Sequence, residues 1–570
     1  MSAPLTRWIV ALFIASLAMG LLLAHAASAQ AMGGSWHGTL SAQGRELRVV
    51  VTMTQQAGGG FTGAMISPDQ GAGEIALADV KLLGDQLSFA APKISGHYQG
   101  HWDAAHTAWV GQWSQGLDIP LTLAKGDLPP GPVIKGLDGT WRGALAMPNG
   151  AKLRIVLRVA TGRYGTIAQL DSPDQLAYGF PLTGLIHDGA AVRFTARSIK
   201  GDYAGTLSAD GKTLDGTWTQ GGRPLPLALT FDGEIKIAAR PQTPKPPFPY
   251  RAEEVTVESA PGVKLAGTLT LPVGRGPFPA AVMITGSGPQ DRDETILGHK
   301  PFLVIADDLT RRGIAVLRLD DRGVARSTGD FGKALTTDFA VDAEAAAAYL
   351  RSRPDIDPGK VGLIGHSEGG LVGPMVAAKD PKIAFVVMMA GPGAPLMDVL
   401  SAQRLALAPA MGIGEQQAAR LNIGMSKAVA AMKGARTQAE AQARAAAAIK
   451  AAVPAAPDEM VKIQAQMISS GWFRALLAYD PRPTLRQVKA PTLAINGAKD
   501  RQVPAQQNLS AIRAAMKGNP DVTIVELPGL NHLFQTAPTG AAGEYADIEE
   551  TIAPIALRTM GDWIVAHTAK

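Results

Sequence analysis

The residues with the most evident chemistry form the segment GHSEG at 365–369, which fits the pattern G-x-S-x-G. An apolar, strand-like run precedes this segment and a helix-forming run follows it, so Ser367 would stand on a sharp strand-to-helix turn. Gly365 and Gly369 keep that turn free of side chains, which lets the serine project alone at the carboxyl edge of a sheet. The segment predicts a serine nucleophile, and an ordinary structural turn is the alternative.

A serine at its ordinary pKa needs a histidine base before it can attack. The candidates in this half of the chain are His299, His366, His532 and His567. His299 precedes the serine, His366 is its neighbour on the turn, and His567 lies three residues from the end of the sequence. His532 follows a strand-like run in a late loop, the position that the chain order Ser, Asp, His requires. Elimination therefore predicts His532 as the base.

A carboxylate that orients the histidine should follow an earlier strand between the serine and the histidine. Asp500 follows the strand-like run 491–495 and meets this requirement. Its carboxylate would hold the imidazole tautomer and stabilise the imidazolium. The rival is Asp398, which comes after the strand predicted to end at Met389.

Two backbone N–H groups are needed to stabilise an oxyanion. One belongs to the residue after the nucleophile, Glu368, and the other to the glycine-rich loop that follows the strand predicted at 280–284. Ser287 or Gly288 is the predicted donor in that loop, and an ordinary turn is the alternative. Because no Gly-Lys-Ser/Thr follows, this loop is not a phosphate-binding loop. No metal or organic cofactor is implied, and the chain has no cysteine to ligate a metal or act as a nucleophile.

Five motifs occur in an order that is far more specific than any one of them. They are GSGPQDRDE at 286–294, LDDRGVARSTG at 319–329, GHSEGG at 365–370, NGAKDRQVP at 496–504 and GLNHLF at 529–534. Together they resemble the α/β-hydrolase superfamily, and more narrowly the bacterial esterases grouped with its serine aminopeptidase-like and acyl-thioester hydrolase-like branches. The resemblance covers about 255–568 and implies Ser367 as nucleophile, Asp500 as acid and His532 as base. Residues 320–322 match a family motif that usually braces the loops near the site.

The pattern from Val255 onward alternates apolar strand-like runs with alanine-rich amphipathic runs. This alternation predicts a mostly parallel, doubly wound α/β sheet over 251–570. Residues of about 393–483 are strongly helical in propensity and predict a helical cap over the serine. The apolar cap residues could line an acyl pocket or form the core of the cap itself; they are Met460, Met467, Trp472, Phe473, Leu476 and Leu477.

The N-terminal half contains an internal repeat with a constant offset of 105 positions. The offset places Trp36 on Trp141, and it places the segment WSQG at 113–116 on WTQG at 218–221. Short alternating runs with Gly, Asp and Asn turns predict two duplicated small all-β modules, barrels or sandwiches. The modules span 30–127 and 133–235, and a proline-rich linker over 236–250 follows them. The recurring tryptophans could form a platform for sugar or lipid or fill the core of each module.

Residues 1–29 have the pattern of a secretory signal peptide. Arg7 precedes an uncharged apolar run, and Ala27-Ser28-Ala29 predicts cleavage between Ala29 and Gln30. A retained membrane anchor is the alternative, because the apolar run is close to the shortest span. We therefore expect an exported protein, periplasmic or secreted, and the absence of cysteine is compatible with an oxidising compartment.

Composition narrows the range of partners. The net charge of +5 is spread through the chain without a basic run, so nucleic acid is not an expected partner.

The first hypothesis for the function is an exported serine hydrolase that cleaves carboxylic esters. The second is a peptidase with the same triad acting on short peptides, for which Asp458, Glu459 or Glu415 would capture a free amine. Thioesterase action on coenzyme A esters is disfavoured by export. The remaining hypothesis is an inert binding protein whose β-modules hold a cell-envelope ligand. The oligomeric state does not follow from the sequence.

Overall fold

A computed structural model describes the chain over 32–42, 45–57, 59–70, 74–91, 94, 96–115, 118–147, 152–175, 177–235, 238–408, 414–454 and 458–569. The predicted signal peptide and its cleavage point lie outside these ranges. The chain divides into two compact units. The first contains the two N-terminal sheets up to Ile235, except for two short pieces of the second sheet, and the second contains those pieces and the rest of the chain. Within the described ranges, no helix combines the length and apolar character that a membrane span needs.

The first sheet is a closed antiparallel barrel of eight strands. Its strands are β1 (Gly34–Ala42), β2 (Arg45–Gln55), β3 (Phe61–Ile66), β4 (Ile75–Leu83), β5 (Gln86–Ala91), β6 (Gly96–Asp103), β7 (Ala108–Ser114) and β8 (Asp118–Lys125). The last strand pairs with the first, where Trp36 lies opposite Lys125. Alternate side chains point inward, and large ones such as Trp36, Tyr98 and Trp113 fill the interior.

The second sheet has nine strands in the order β12-β11-β10-β9-β17-β16-β15-β14-β13. Its strands are β9 (Gly139–Ala146), β10 (Lys152–Gly162), β11 (Gly165–Ser172), β12 (Ala177–Pro181), β13 (Thr183–Asp188), β14 (Ala191–Ala196), β15 (Gly201–Leu207), β16 (Thr213–Gln220) and β17 (Arg223–Gly233). The short strands β12 and β13 adjoin in sequence, yet they lie at opposite edges of the order. The N-terminal half is thus all-β.

Equivalent tryptophans of the two sheets make the same contacts. Trp36 Nε1 donates to a backbone carbonyl four residues earlier at 2.9 Å, and Trp141 Nε1 does the same at 2.8 Å. Trp113 Nε1 and Trp218 Nε1 each donate to the glutamine two residues later, at 3.2 and 3.3 Å. All four indoles are at most 2% exposed. Because they are buried, these four tryptophans fill the core and do not form a binding platform.

The C-terminal half is built on an eight-stranded sheet with the order β18-β19-β21-β20-β22-β23-β24-β25. The strands are β18 (Arg251–Ala260), β19 (Val263–Leu271), β20 (Phe278–Ile284), β21 (Ala315–Leu319), β22 (Ile356–His366), β23 (Val386–Met389), β24 (Thr492–Gly497) and β25 (Val522–Leu527). The first two strands are antiparallel, and β20 to β25 run parallel to one another. The predicted doubly wound sheet is therefore present.

Helices cover both faces of this sheet, as buried parallel strands require. They are α1 (Pro301–Arg311), α2 (Thr336–Ser352), α3 (Gly369–Ala377), α4 (Leu396–Leu407), α5 (Glu415–Ala431), α6 (Gln438–Ala452), α7 (Asp458–Ser469), α8 (Gly471–Ala478), α9 (Arg482–Leu485), α10 (Ala505–Ala515) and α11 (Pro554–Thr568). One core contains residues of α2, α3 and α10, and the other contains residues of α1 and α11.

Helices α4 to α9 occupy the region predicted as a cap, between β23 and β24. Helices α5 to α7 have a core of their own that includes Met425, Ile449 and Ile468. Of the apolar residues singled out in the sequence, Phe473 packs against this core, whereas Met467 is 52% exposed. Leu476 belongs to the core of the main sheet, and the side chain of Met460 lies outside the described residues. The six residues therefore divide among different environments.

The proline-rich segment before β18 is held against the stretch between β25 and α11 by two polar side chains. Arg240 Nη2 donates to the carbonyl of Ala546 at 2.8 Å. Gln242 Nε2 donates to the carbonyl of Ile552 at 2.7 Å. These long-range bonds fix this stretch, which its proline content alone would predict to be a semi-rigid spacer.

Candidate active site

Ser367 lies on the turn between β22 and α3, with φ of +52°. This left-handed conformation costs free energy in a residue other than glycine and is typical of a functional turn. A Cβ at Gly365 would overlap the carbonyl of Gly369, and a Cβ at Gly369 would overlap the carbonyl of Ile284. Both glycines are therefore required by close backbone approach, as the motif predicts.

Asp500 and His532 form a buried pair at the carboxyl edge of the same sheet. Asp500 follows β24 and His532 follows β25, and their side chains meet with Nδ1 of the imidazole 2.7 Å from Oδ2 of the carboxylate. Oδ1 of Asp500 accepts from the backbone N–H groups of Gln502 and Val503 at 2.8 and 2.9 Å. The Asp500 side chain is 0% exposed and the His532 side chain 5%. The Asp500 carboxylate is thus held rigidly, and its position fixes the orientation of the His532 imidazole.

A cavity of about 250 Å³ has both Ser367 and His532 in its wall. The apolar part of the wall consists of Ile296, Leu371, Pro392, Leu396, Val399, Leu400, Leu476, Val503 and Leu533. One face of the cap helix α4 supplies Leu396, Val399, Leu400 and Gln403, at the spacing of a single helical face. The cap and the sheet edge therefore enclose one common site that contains the predicted nucleophile and base.

The other candidates from the sequence lie elsewhere. Asp398 is exposed in the first turn of α4 and is not part of the cavity wall. His299 is buried, with its ring nitrogens 2.9 Å from Thr551 Oγ1 and from the carbonyl of Tyr545. His567 stacks on Trp563 near the end of α11. Neither of these histidines is part of the cavity wall.

Three backbone N–H groups can serve as oxyanion donors. In the described part of the chain, the N–H groups of Ser287, Gly288 and Glu368 donate to no protein acceptor. The N–H of Gly286 is already used, because it donates to Glu294 Oε1 at 2.7 Å. Ser287 and Glu368 contribute to the cavity wall, whereas Gly288 does not. The geometry therefore favours Ser287 over Gly288 as the partner of Glu368.

His366 forms a second buried histidine–carboxylate pair that sequence reasoning missed. Its Nδ1 lies 2.9 Å from Glu294 Oε1, and its Nε2 lies 3.1 Å from the carbonyl of His532. Burial lowers the pKa of His366, but the charge and hydrogen bond of Glu294, with the His532 carbonyl, outweigh it and raise the pKa above its ordinary value. The pair connects the loop after β20, the serine turn and the His532 loop. Glu294 is the last residue of the motif GSGPQDRDE, and this motif is the sequence signal that could have identified it.

Residues 320–322 make the contacts that brace this edge of the sheet. Asp320 pairs with Arg292 at 2.7 Å, and Arg322 pairs with Asp342 at 2.7 Å. Asp321 accepts from Thr285 Oγ1 at 2.6 Å and from the backbone N–H of Gln290 at 3.0 Å. Burial raises the pKa of Asp321 to about 8 despite these hydrogen bonds. These contacts hold the loop that carries Ser287.

Comparisons with known proteins show what the C-terminal half is similar to. Residues 261–528 match the family model of the X-Pro dipeptidyl-peptidases, the S15 family. Esterase EstD of Thermotoga maritima is 30% identical over 288 residues, which cover 50% of this chain and 61% of that protein. The mitochondrial acyl-coenzyme A thioesterase 2 of Mus musculus is 26% identical over 289 residues, which cover 50% of this chain and 55% of that protein. The chain thus spans less than two thirds of the length of these relatives.

The solved structures to which the chain is similar include the α/β hydrolase GrgF from Penicillium sp. sh18. It covers 56% of this chain and all of its own length, with 17% identity and a TM-score of 0.37. The family match and the similarity to EstD confirm the prediction for the C-terminal half. Over residues 261–528 the chain is similar to serine hydrolases.

Proposed function

We propose that this protein is an exported serine hydrolase that cleaves carboxylic esters through an acyl-serine intermediate. The observation that carries the proposal is the Asp500–His532 pair, whose imidazole shares one cavity with Ser367. Because Nδ1–H of His532 donates to Asp500, the other ring nitrogen is left unprotonated to act as a base.

The reaction follows the chemistry of these groups. His532 Nε2 takes the proton of the Ser367 hydroxyl as its Oγ bonds to the ester carbonyl carbon, and the carbonyl oxygen becomes an oxyanion. The N–H groups of Glu368 and Ser287 stabilise that charge. The C–O bond to the alcohol then breaks, and His532 gives its proton to the leaving alcohol. Water, activated by the same imidazole, hydrolyses the acyl-serine and releases the carboxylic acid.

The cavity favours an uncharged ester over a substrate with a free amino group. The carboxylates in its wall are those of Glu294 and Glu368, and each already accepts hydrogen bonds from protein donors. Asp458 is paired with Lys450 and Glu415 is exposed at the start of α5; neither is part of the wall. The side chain of Glu459 lies outside the described residues. Among the described residues of the wall there is also no lysine or arginine that would bind the phosphates of a coenzyme A thioester.

A peptidase with the same triad is the second candidate, because the matching family model is that of X-Pro dipeptidyl-peptidases. Initial rates on p-nitrophenyl esters of increasing acyl length, beside aminoacyl p-nitroanilides, separate the two. We expect ester turnover that disappears in Ser367→Ala, with no turnover of the anilides. Anilide turnover that depends on Ser367 would support the peptidase instead. Silence of the wild type on all substrates would reject catalysis.

Export and the β-modules complete the proposal. We infer that residues 1–29 are removed, so N-terminal sequencing of the mature protein should begin at Gln30, whereas an intact N-terminus in the membrane fraction would support the anchor. We also infer that the two β-modules are copies of one unit, supported by the matching tryptophan contacts. Co-sedimentation of full-length Ser367→Ala protein with isolated cell envelopes tests whether they hold an envelope ligand; protein that stays in the supernatant would reject that role.

A further inference from the structure

The carboxylate of Glu368 is buried and accepts three hydrogen bonds from three separate elements. Ser287 Oγ donates to Oε2 at 2.7 Å. Thr336 Oγ1 and Trp472 Nε1 donate to Oε1 at 2.6 and 3.0 Å. Glu368 is 5% exposed. A buried carboxylate is tolerated only when such donors satisfy it, and its place at the N-terminus of α3 stabilises the negative charge further.

One of these hydrogen bonds joins the two residues that carry the proposed oxyanion donors. The N–H of Glu368 and the N–H of Ser287 are the groups that would bind the oxyanion, and the Ser287–Glu368 side-chain bond joins the same two residues. Donors stabilise an oxyanion only when both lie at about 2.7–3.1 Å from it, so their mutual spacing matters. The Ser287 loop and the serine turn are far apart in sequence, and this bond links them directly.

Another of the three hydrogen bonds reaches the cap. Trp472 is the second residue of the helix α8, and Leu476, one turn further along the same helix, contributes to the cavity wall. The Trp472–Glu368 bond therefore holds the helix that shapes part of the cavity. The position of α8 and the position of the oxyanion donors depend on the same carboxylate.

We propose that the Glu368 carboxylate is a positioning group. It sets the spacing of the two oxyanion N–H groups and couples that spacing to the position of helix α8. The inference rests on the proposed serine-hydrolase function and deepens it. Glu368 contributes its N–H to the reaction, and its side chain acts through Ser287 and Trp472. The spacing of the two oxyanion N–H groups and the shape of the cavity would then change together when α8 moves.

Ser287→Ala tests the first part, because it removes the hydroxyl but keeps the backbone N–H. We expect kcat for a p-nitrophenyl ester to fall about 10-fold with KM within about twofold, a smaller loss than deletion of a donor outright. The Ki of a trifluoromethyl ketone, which forms a tetrahedral oxyanion on the serine, should rise by the same factor. The Ki of the carboxylic acid product should stay the same. Ser287→Thr, which keeps a hydroxyl, should restore much of kcat.

Thr336→Val is the matched control. It removes a hydroxyl that donates to the same carboxylate, but Thr336 does not itself carry one of the two oxyanion N–H groups. Its loss of kcat should be clearly smaller than that of Ser287→Ala. Equal losses in the two variants, in proportion to lost stability, would overturn the proposal. Wild-type kcat and ketone Ki in Ser287→Ala would overturn it as well.

Trp472→Phe tests the coupling to the cap. It keeps an aromatic ring and removes the donor, so we expect kcat to fall several-fold and the acyl-length preference to change. A variant with the wild-type kcat and acyl-length profile would overturn the coupling. These outcomes are distinct from failure of the proposed function, in which the wild-type protein itself would hydrolyse no ester.

Discussion

Two histidine–carboxylate pairs lie side by side at the carboxyl edge of the hydrolase sheet, with their imidazole rings 4.9 Å apart. Each histidine turns Nδ1 toward a carboxylate, His532 toward Asp500 and His366 toward Glu294. The two pairs differ in the surroundings of the second ring nitrogen, Nε2. His366 Nε2 faces the carbonyl of His532, whereas His532 contributes to the wall of the cavity that contains Ser367.

That difference assigns opposite roles to similar pairs. A carbonyl oxygen can only accept a hydrogen bond, so His366 carries a proton on Nε2. The charge of Glu294, which raises the pKa of His366, favours a second proton on Nδ1. His366 thus holds the neighbouring loops together. Among the residues that the structure describes, none offers such an acceptor to the other nitrogen of His532. The surroundings of one nitrogen therefore support His532 as the proposed base and His366 as a structural residue.

The largest effect should follow from His532→Ala. Removal of the base leaves Ser367 without a proton acceptor, so we expect kcat on a p-nitrophenyl ester to fall about 10⁴–10⁶-fold. Thermal unfolding of the variant serves as the control for folding. Residual activity within tenfold of the wild type would show that His532 is not the base.

Asp500→Asn should have the next largest effect. The amide nitrogen cannot accept from His532 Nδ1–H, so the imidazole adopts the wrong tautomer and kcat should fall about 10³–10⁴-fold. Asp398→Asn is the matched control, since that carboxylate is exposed outside the cavity wall. A greater loss in the Asp398 variant would reverse the assignment of the acid.

Glu294→Gln tests the second pair. It leaves the buried imidazolium of His366 without its counter-charge, and breaking a buried pair in this way should lower the free energy of unfolding by about 3 kcal/mol. Because Glu294 also holds the N–H of Gly286, we expect kcat to fall about 10-fold. Denaturant unfolding and ester kinetics measure the two effects. Unchanged stability would contradict a charged pair.

The pH dependence of stability sharpens the same contrast with the smallest effect. Since the pKa of His366 is raised in the folded protein, its stabilisation is fully present below the ordinary pKa of about 6.5 and is lost as pH rises through the raised pKa. The stability difference between wild type and His366→Gln should therefore shrink as the pH rises above about 6.5 and through the raised pKa of His366. A difference that grows with pH would show that His366 is neutral in the fold.

Much of the C-terminal half could be predicted because its strands and its serine turn follow from residues that are close together in the sequence. Continuous apolar runs identify buried parallel strands, and glycines on both sides of Ser367 identify the tight turn. The chain order of serine, aspartate and histidine then limits the candidates for each role. The strands predicted around Asp500 and His532 correspond to β24 and β25, and both side chains lie in the loops that follow.

Other features depend on contacts between distant residues and could not be predicted. Alternating short strands fit a barrel or a sandwich equally well, and closure of the first sheet depends on the pairing of β1 with β8. The alanine-rich cap sequence predicts helices, but it does not reveal that Leu476 borders the cavity while Met467 is exposed. Periodicity describes one element at a time, and these properties belong to pairs of elements.

The sequence by itself determined the serine turn and the loops that carry Asp500 and His532, because each depends on residue types at short spacing. Only the tertiary structure decided which nitrogen of each histidine faces an acceptor, and that Ser287, Thr336 and Trp472 converge on Glu368. The physical reason is that a side chain's chemistry depends on its partners in space. The packing of the sheet and the cap determines those partners.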